Sequence, residues 1–195
     1  MRIRNPGLKN SQSRKGGDVD MKIALLVIDM QNDYLWEKRK KQFSYNTPQL
    51  VSSVNALIRK YHAEDRDVIY IRHMIHDFPT NRLLFGYSIV GTKGAELYNG
   101  LEIVSGYCFD KYLGDALTNR ELRRLIQDRG YDVLHLCGLD ECGCVTDTAL
   151  GAVKRGIKAA IVREGTGSVL PEKKRNAAHE KLRAAGVSYI ENDTV

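Results

Sequence analysis

The sequence predicts an α/β fold: a doubly wound, mostly parallel sheet of six strands with helices on both faces. Residues 23–28 form an uninterrupted apolar run, which is typical of a strand buried on both faces. Further short apolar runs alternate along the chain with segments whose apolar residues recur at helical spacing. In three places a helical segment ends at a glycine and a strand-like run follows at once. This is the pattern of helices that cross between parallel strands.

The first half of the chain supplies a strand, a helix and a second strand. After the strand at residues 23–28, the apolar residues spaced over 50–61 predict an amphipathic helix of about four turns. Residues 68–71 form the second strand. Residues 73–110 are less regular, so we expect an insertion over the active edge of the sheet, with a short strand at residues 102–104.

The second half repeats helix, glycine and strand. Residues 118–121 read Thr-Asn-Arg-Glu, a capping box that predicts a helix start. Gly130, Gly156 and Gly186 end helical segments, since glycine accepts the left-handed turn that releases a chain from a helix. Pro171 suits the first turn of the last helix. The strands predicted after the three glycines cover residues 132–137, 157–162 and 187–190.

Length and composition predict one globular domain with a tail. The chain has 195 residues, 43% of them hydrophobic and 28% charged, which excludes wholesale disorder. We expect residues 1–20 to form a flexible basic arm and residues 21–195 to form the domain. The net charge is +6, and half of it falls in that arm. A role in nucleic-acid binding through the arm is an alternative, which deletion of residues 1–20 and salt-dependent binding would test.

The sequence favours a cytoplasmic protein without a membrane partner. No apolar run near the start is long enough for a membrane span or a signal segment. The four cysteines are irregularly spaced and do not form a disulfide framework. We therefore expect a small-molecule substrate, with no nucleic acid and no membrane as partners.

Candidate chemistry lies just after the strands, because open parallel sheets bind ligands at the carboxyl ends of their strands. Asp29 follows the first strand, although a turn or capping role explains a lone aspartate somewhat better. Asp33 is interpreted as a turn or capping residue. Cys144 begins a helix, where the macrodipole and free amides favour a thiolate; the alternative is a buried cysteine acting as a small hydrophobe. Lys111 alone indicates only a solvated charge.

The spacing of the cysteines and histidines does not favour a metal site. Cys142 and Cys144 flank one glycine, but no second cysteine pair with zinc spacing follows. A disulfide or a redox role for Cys142 remains open. His73, His76 and Asp77 could ligate a metal after the second strand, but loop or pocket roles are more common. We expect no metal and no cofactor.

Four motifs in order resemble the isochorismatase-like cysteine hydrolases, a superfamily that includes nicotinamidases, N-carbamoylsarcosine amidases and ureidoacrylate amidohydrolases. The resemblance covers about residues 22–190. The motifs are the opening strand, a Gly-Thr-x-Gly-Ala-Glu segment, a lysine followed by Asp-Ala-Leu, and the turn before Cys144. They lie at residues 24–33, 91–97, 111–117 and 138–149. The resemblance implies an isochorismatase-like, Rossmann-like three-layer sandwich.

The resemblance also implies a catalytic triad of Asp29, Lys111 and Cys144. It implies an oxyanion hole from amides near Asp140 and Cys144, and a cis peptide near residues 139–140. Asp140 and Glu141 depart from the usual turn and add two acids beside the nucleophile, which would oppose thiolate formation unless they point away. The Asp-x-His-x-x-His metal motif of nicotinamidases is absent after the second strand, which puts zinc and nicotinamide in doubt.

The resulting functional hypothesis is hydrolysis of a C–N bond in a small amide, ureido or carbamoyl compound through a thioester on Cys144. Tyr34, Trp36, Tyr107 and Tyr112 flank the motifs and could line a partly aromatic pocket, or be core or interface residues. The alternatives are enol-ether hydrolysis of the isochorismatase type and a non-catalytic domain of the same fold. Relatives commonly assemble as dimers or tetramers, so we expect a homo-oligomer.

Overall fold

The computed structural model describes residues 21–192, and the sequence-predicted basic arm at residues 1–20 lies outside this range. The described residues form a six-stranded, all-parallel sheet with strand order β3-β2-β1-β4-β5-β6. The order reverses between β1 and β4, the topological switch point where such sheets bind ligands. The predicted α/β class, the parallel sheet and the doubly wound arrangement are confirmed.

The elements follow in alternation. The strands are β1 (Ile23–Ile28), β2 (Asp67–His73), β3 (Cys108–Lys111), β4 (Val133–Gly138), β5 (Lys158–Thr166) and β6 (Ser188–Ile190). The helices are α1 (Asn32–Leu35), α2 (Thr47–Ala63), α3 (Pro79–Leu84), α4 (Arg120–Arg129), α5 (Thr146–Lys154) and α6 (Glu172–Ala184). No helix in residues 21–192 is both long enough and apolar enough to cross a bilayer.

The two faces of the sheet are buried in separate cores, as the continuous apolar run of β1 predicts. Alternate β1 side chains point to opposite faces. Leu26 packs with side chains of α4, α5 and α6 on one face. Leu25 packs with α2 on the other face. This double coverage leaves the strand ends as the exposed edge of the sheet where polar side chains can gather.

Two local predictions are wrong. Residues 102–104 are not a strand, because the Tyr70 hydroxyl donates to the carbonyl of Glu102 and accepts from the amide of Val104, so a side chain partly replaces strand pairing. The strand beside β2 is instead β3. The cap of α4 is Asn119, whose side chain accepts from the amide of Leu122, rather than Thr118 in a capping box.

Candidate active site

Three side chains that are far apart in the sequence meet at the carboxyl ends of the strands. The Lys111 ammonium donates to Asp29 Oδ2 at 2.8 Å and to Cys144 Sγ at 3.0 Å. Asp29 and Lys111 are almost fully buried, and Cys144 is partly exposed. The structure therefore brings together the carboxylate, amine and thiol singled out from the sequence.

Asp29 directly follows β1 in an unusual backbone conformation. Its φ angle is 53°, a left-handed conformation that is uncommon for residues other than glycine. Its amide donates to the carbonyl of Ile71 at 2.9 Å, which holds it against the end of β2. Asp29 Oδ1 is buried and has no hydrogen-bond partner among the described residues. One carboxylate oxygen is therefore held by Lys111, and the other is left available to accept a proton.

Lys111 is held at the end of β3, where the register pairs it with His73 of β2. Burial alone would lower the pKa of the Lys111 ammonium, but Asp29 and then Cys144 more than offset that effect and leave the pKa above its usual value. Lys111 is therefore a cation at neutral pH, even though its side chain is almost inaccessible to water.

Cys144 lies in the segment Glu141–Val145, which is kinked at Gly143 (φ −114°, ψ −110°) and leads directly into α5. Burial, followed by the charge of Asp29, raises the pKa of the Cys144 thiol to about 12, against the opposing effect of Lys111. The thiol is therefore protonated at neutral pH, and a base must take its proton before the sulfur can act as a nucleophile. Asp29 is the adjacent group that can do so.

The two acids of the turn point away from the thiol. Asp140 accepts hydrogen bonds from the amides of Cys142 and Val169, and its other donors are the hydroxyls of Tyr45 and Ser168. Glu141 accepts from His179 and Tyr189, on the side of α6 and β6. The two acids therefore hold the turn by hydrogen bonds, and among the described residues neither is hydrogen-bonded to Cys144 Sγ.

The turn before Cys144 differs in one respect from the turn that the family resemblance implies. All peptide bonds of the described residues are trans, so the cis bond expected near residues 139–140 is not found. Just before these residues Gly138, the last residue of β4, has a φ of 106°. The amide of Asp140 donates to no backbone carbonyl of the described residues. It is therefore available to a ligand, as the sequence hypothesis of an oxyanion-binding amide near Asp140 requires.

A cavity of about 180 Å³ opens onto Cys144. Aromatic side chains form much of its wall, and the residues that line it are Asp29, Tyr34, Phe43, Tyr45, His73, Tyr87, Leu139, Asp140, Gly143 and Cys144. Tyr34 is the one member of the predicted aromatic set that lines this cavity. Sequence reasoning missed Phe43, Tyr45 and Tyr87, because they come from loops without a periodic pattern.

The other predicted pocket aromatics lie elsewhere. Trp36 lies under the ammonium of Lys38. Tyr107 precedes β3, at the opposite edge of the sheet from the site, where its hydroxyl contacts Arg129. Tyr112 is exposed and stacks on His76 with ring centroids 4.4 Å apart. Tyr112 directly follows Lys111 at the end of β3, and adjacent residues of an extended chain point in opposite directions, so its side chain does not enter the cavity wall.

The residues around Cys144 do not fit a metal ion. Asp29, His73 and Cys144 bring their potential ligand atoms within 4.8 Å of one another. However, the Lys111 ammonium is bonded to all three side chains, so the cation position is already taken by the protein. His76 stacks on Tyr112 and does not join this group.

Gln31 is a further residue whose role the sequence did not reveal. Its fully buried side chain donates to the carbonyls of His73 and Ala95 and accepts from the amide of His73 at 2.7 Å. It ties the end of β1 to the end of β2 and to the segment at residues 91–97. The only sequence signal was its place inside the opening motif.

The fold and this site together define an α/β protein with a carboxylate–amine–thiol group at the switch point of its sheet. The family model of the isochorismatase domain matches residues 23–194, so the chain belongs to the isochorismatase family of hydrolases.

Known proteins support this assignment. A probable inactive nicotinamidase of Arabidopsis thaliana is 28% identical over 165 residues, which cover 76% of this chain and 82% of that protein. The crystal structure of N-carbamoylsarcosine amidase from Thermoplasma acidophilum superimposes with a TM-score of 0.76 at 22% identity, covering 90% of this chain and 99% of that one. Nicotinamidase from Bacillus subtilis gives a TM-score of 0.71 at 23% identity, covering 86% and 98%. At these identities the solved structures demonstrate the shared fold.

Proposed function

We propose that this protein is an amidohydrolase that cleaves a C–N bond of a small amide, ureido or carbamoyl compound through a thioester on Cys144. The observation that carries the proposal is the Lys111 ammonium, which donates to both Asp29 and Cys144. That arrangement places a base and a cation beside a thiol that opens into a small cavity. It is the environment that a thiol nucleophile requires.

The first chemical step is attack by sulfur. Asp29 takes the thiol proton, for which its unpartnered Oδ1 is available. Lys111 stabilises the thiolate as it forms. The sulfur attacks the carbonyl carbon, and the amides of Asp140 and Cys144 hold the developing oxyanion. The tetrahedral intermediate then collapses as the C–N bond breaks.

The second step regenerates the enzyme. Protonated Asp29 gives its proton to the leaving ammonia or amine. Water, deprotonated by the same carboxylate, attacks the thioester carbonyl, and the acid product leaves as the Cys144 thiol is restored. The Asp29 carboxylate therefore first accepts and then donates a proton in each half of the reaction, and Lys111 remains protonated throughout.

The test compares two neighbouring cysteines. Ammonia release is measured over a panel of small amides, ureido acids and carbamoyl compounds, with the wild type, Cys144→Ala and Cys142→Ala. We expect Cys144→Ala to be folded and inactive. Cys142, which does not line the cavity, serves as the matched control, and Cys142→Ala should remain active. Release at the wild-type rate by folded Cys144→Ala would refute the mechanism.

The same geometry favours hydrolysis of an amide over two alternative functions. Enol-ether hydrolysis does not require a nucleophilic thiol, so the cysteine aimed into the cavity favours an amidase. A non-catalytic role, as the name of the Arabidopsis relative suggests for that protein, is less well supported here because Asp29 and Lys111 both face Cys144. Turnover of any compound in the panel, lost in Cys144→Ala, would exclude the non-catalytic role.

We also propose that the protein acts on its small-molecule substrate as a homo-oligomer, without nucleic acid. Support comes from apolar side chains left exposed on and beside α3. Leu83, Leu84 and Phe78 are exposed, and Phe78 and Tyr112 both contact the ring of His76. An exposed apolar surface of this kind is typical of a contact site. Light scattering on the purified protein gives the number of subunits.

A further inference from the structure

The Lys111 ammonium has a third hydrogen-bond partner besides Asp29 and Cys144. His73 Nδ1 lies 3.3 Å from Lys111 Nζ. A lysine ammonium carries three N–H groups and no acceptor. Asp29, Cys144 and His73 therefore use all three of its hydrogens, which fixes the direction of each N–H.

This arrangement fixes the protonation state of His73. An ammonium can only donate, so His73 Nδ1 must accept with its lone pair, and the ring proton resides on Nε2. A His73 ring with protons on both nitrogens would face Lys111 donor to donor and cation to cation. The contact can form only when His73 is neutral.

The backbone of His73 is held as firmly as its ring. Gln31 Nε2 donates to the carbonyl of His73 at 2.9 Å, and Gln31 Oε1 accepts from its amide at 2.7 Å. The β2–β3 register pairs His73 with Lys111. A ring that both a side-chain clamp and the sheet hold against the lysine is suited to orienting it.

We propose that His73 is a positioning residue: it binds the third N–H of Lys111 and so directs the other two at Asp29 and Cys144. The inference rests on the proposed function and goes beyond the three residues that carry it. His73 also lines the cavity, but its role here is exerted through Lys111 rather than on the substrate.

The charges around His73 predict a pH signature. The groups that face its ring are Lys111 from β3, Asp29 from the end of β1 and Cys144 from the turn before α5. Burial, followed by the charge of Lys111, lowers the pKa of His73, and Asp29 only partly opposes this. The His73 ring therefore stays neutral at pH values at which an ordinary histidine is already protonated. As pH falls through its pKa, the contact breaks and Lys111 loses its orientation.

Two substitutions separate positioning from packing. His73→Asn places an amide oxygen where Nδ1 lies, so Lys111 keeps an acceptor that does not titrate. His73→Leu fills a similar space without an acceptor. We expect His73→Leu to lower kcat by about tenfold to a hundredfold with a smaller change in KM, as for a misplaced catalytic group. We expect His73→Asn to restore most of kcat and to move the acid limb of the rate profile to lower pH.

A substrate-independent measurement distinguishes this inference from the proposed function. Alkylation of Cys144 by iodoacetamide is followed by peptide mass spectrometry, with exposed Cys108 as the internal control. Cys144 should react more slowly in His73→Leu and near the wild-type rate in His73→Asn, with Cys108 unchanged. Equal Cys144 rates and an unshifted acid limb in all folded variants would overturn the role of His73. Altered Cys144 reactivity without hydrolysis of any amide would instead refute the amidase activity alone.

Discussion

At the scale of single residues, the site rests on an ion pair that water hardly reaches. The side chains of Lys111 and Asp29 are 0% and 4% exposed and lie 2.8 Å apart. Removing charges from water is costly, and the loss is balanced only while both partners are present. The pair is therefore costly to bury, and the surrounding fold has to stabilise it.

Lys111→Met should consequently destabilise the protein. It leaves the Asp29 carboxylate buried without its cation, and breaking a buried pair in this way costs about 3–5 kcal/mol. The free energy of unfolding is measured in urea. The double variant Lys111→Met with Asp29→Asn should recover part of the loss, since it removes both charges. Equal stability of Lys111→Met and the wild type would contradict the buried pair.

The proximity of individual side chains could be predicted from the sequence where a motif fixed both residue type and spacing. Asp29, Lys111 and Cys144 were singled out in this way, and they meet in space. Gln31 and Tyr45 were given no role, because their importance comes from partners far away in the chain, His73 and Asp140. Hydrogen bonds of this kind leave no periodic signal in one sequence.

At the scale of elements, the end of β4 depends on a close approach to β1. A Cβ built on Gly138 would lie 2.0 Å from the carbonyl oxygen of Ile28, and the φ of Gly138 is 106°. Only glycine fits this position. The contact sets the turn that carries Asp140 and Cys144 directly beside Asp29.

Gly138→Ala should therefore be far more disruptive than an alanine at another left-handed glycine. Gly130 has a φ of 67° and open space around its Cβ position, so Gly130→Ala should cost only the backbone strain of about 1–2 kcal/mol. Gly138→Ala adds a clash with backbone and should cost at least about 3 kcal/mol. Thermal or urea unfolding of the two variants compares the costs. A similar loss of unfolding free energy in both variants would show that β1 and β4 separate easily.

Elements were predictable where one face or both faces of a segment are apolar. The predicted strand at residues 23–28 matches β1, and the predicted helix at 50–61 lies inside α2. The segment at 102–104 was expected to be a short strand inside an irregular insertion, but tertiary hydrogen bonds from Tyr70 decided its structure. The local pattern of apolar residues in the sequence holds no information about such a long-range interaction.

At the scale of the whole molecule, the convergence of remote residues follows from topology. Parallel strands bring their carboxyl ends to one edge, so residues at or just after the ends of β1, β3 and β4 meet there wherever they lie in the chain. The cavity wall was less predictable, because Tyr87 belongs to the irregular stretch between β2 and β3. We expected that stretch to cover the active edge of the sheet, but only the structure shows which of its side chains point into the cavity.

Folding also withdraws histidines from water, which links global stability to pH. His135 on β4 is buried, and its Nδ1 contacts the hydroxyl of Tyr61. Burial, assisted by Arg66, lowers the pKa of His135 to about 4. A histidine in the unfolded chain titrates near about 6.5. At pH values between these two pKa values His135 is protonated in the unfolded chain but neutral in the folded protein, so lowering the pH favours unfolding.

We therefore predict that the contribution of His135 to stability is complete above about pH 6.5 and is lost as pH falls toward 4. The free energy of unfolding, measured in urea at intervals from pH 7.5 to 5, should decrease toward acid. His135→Gln should flatten this slope, whatever its effect on absolute stability at pH 7.5. His62→Gln, which removes an exposed histidine of α2, is the matched control and should keep the wild-type slope. Parallel curves for the wild type and His135→Gln would mean that His135 is protonated as readily in the folded protein as in the unfolded chain.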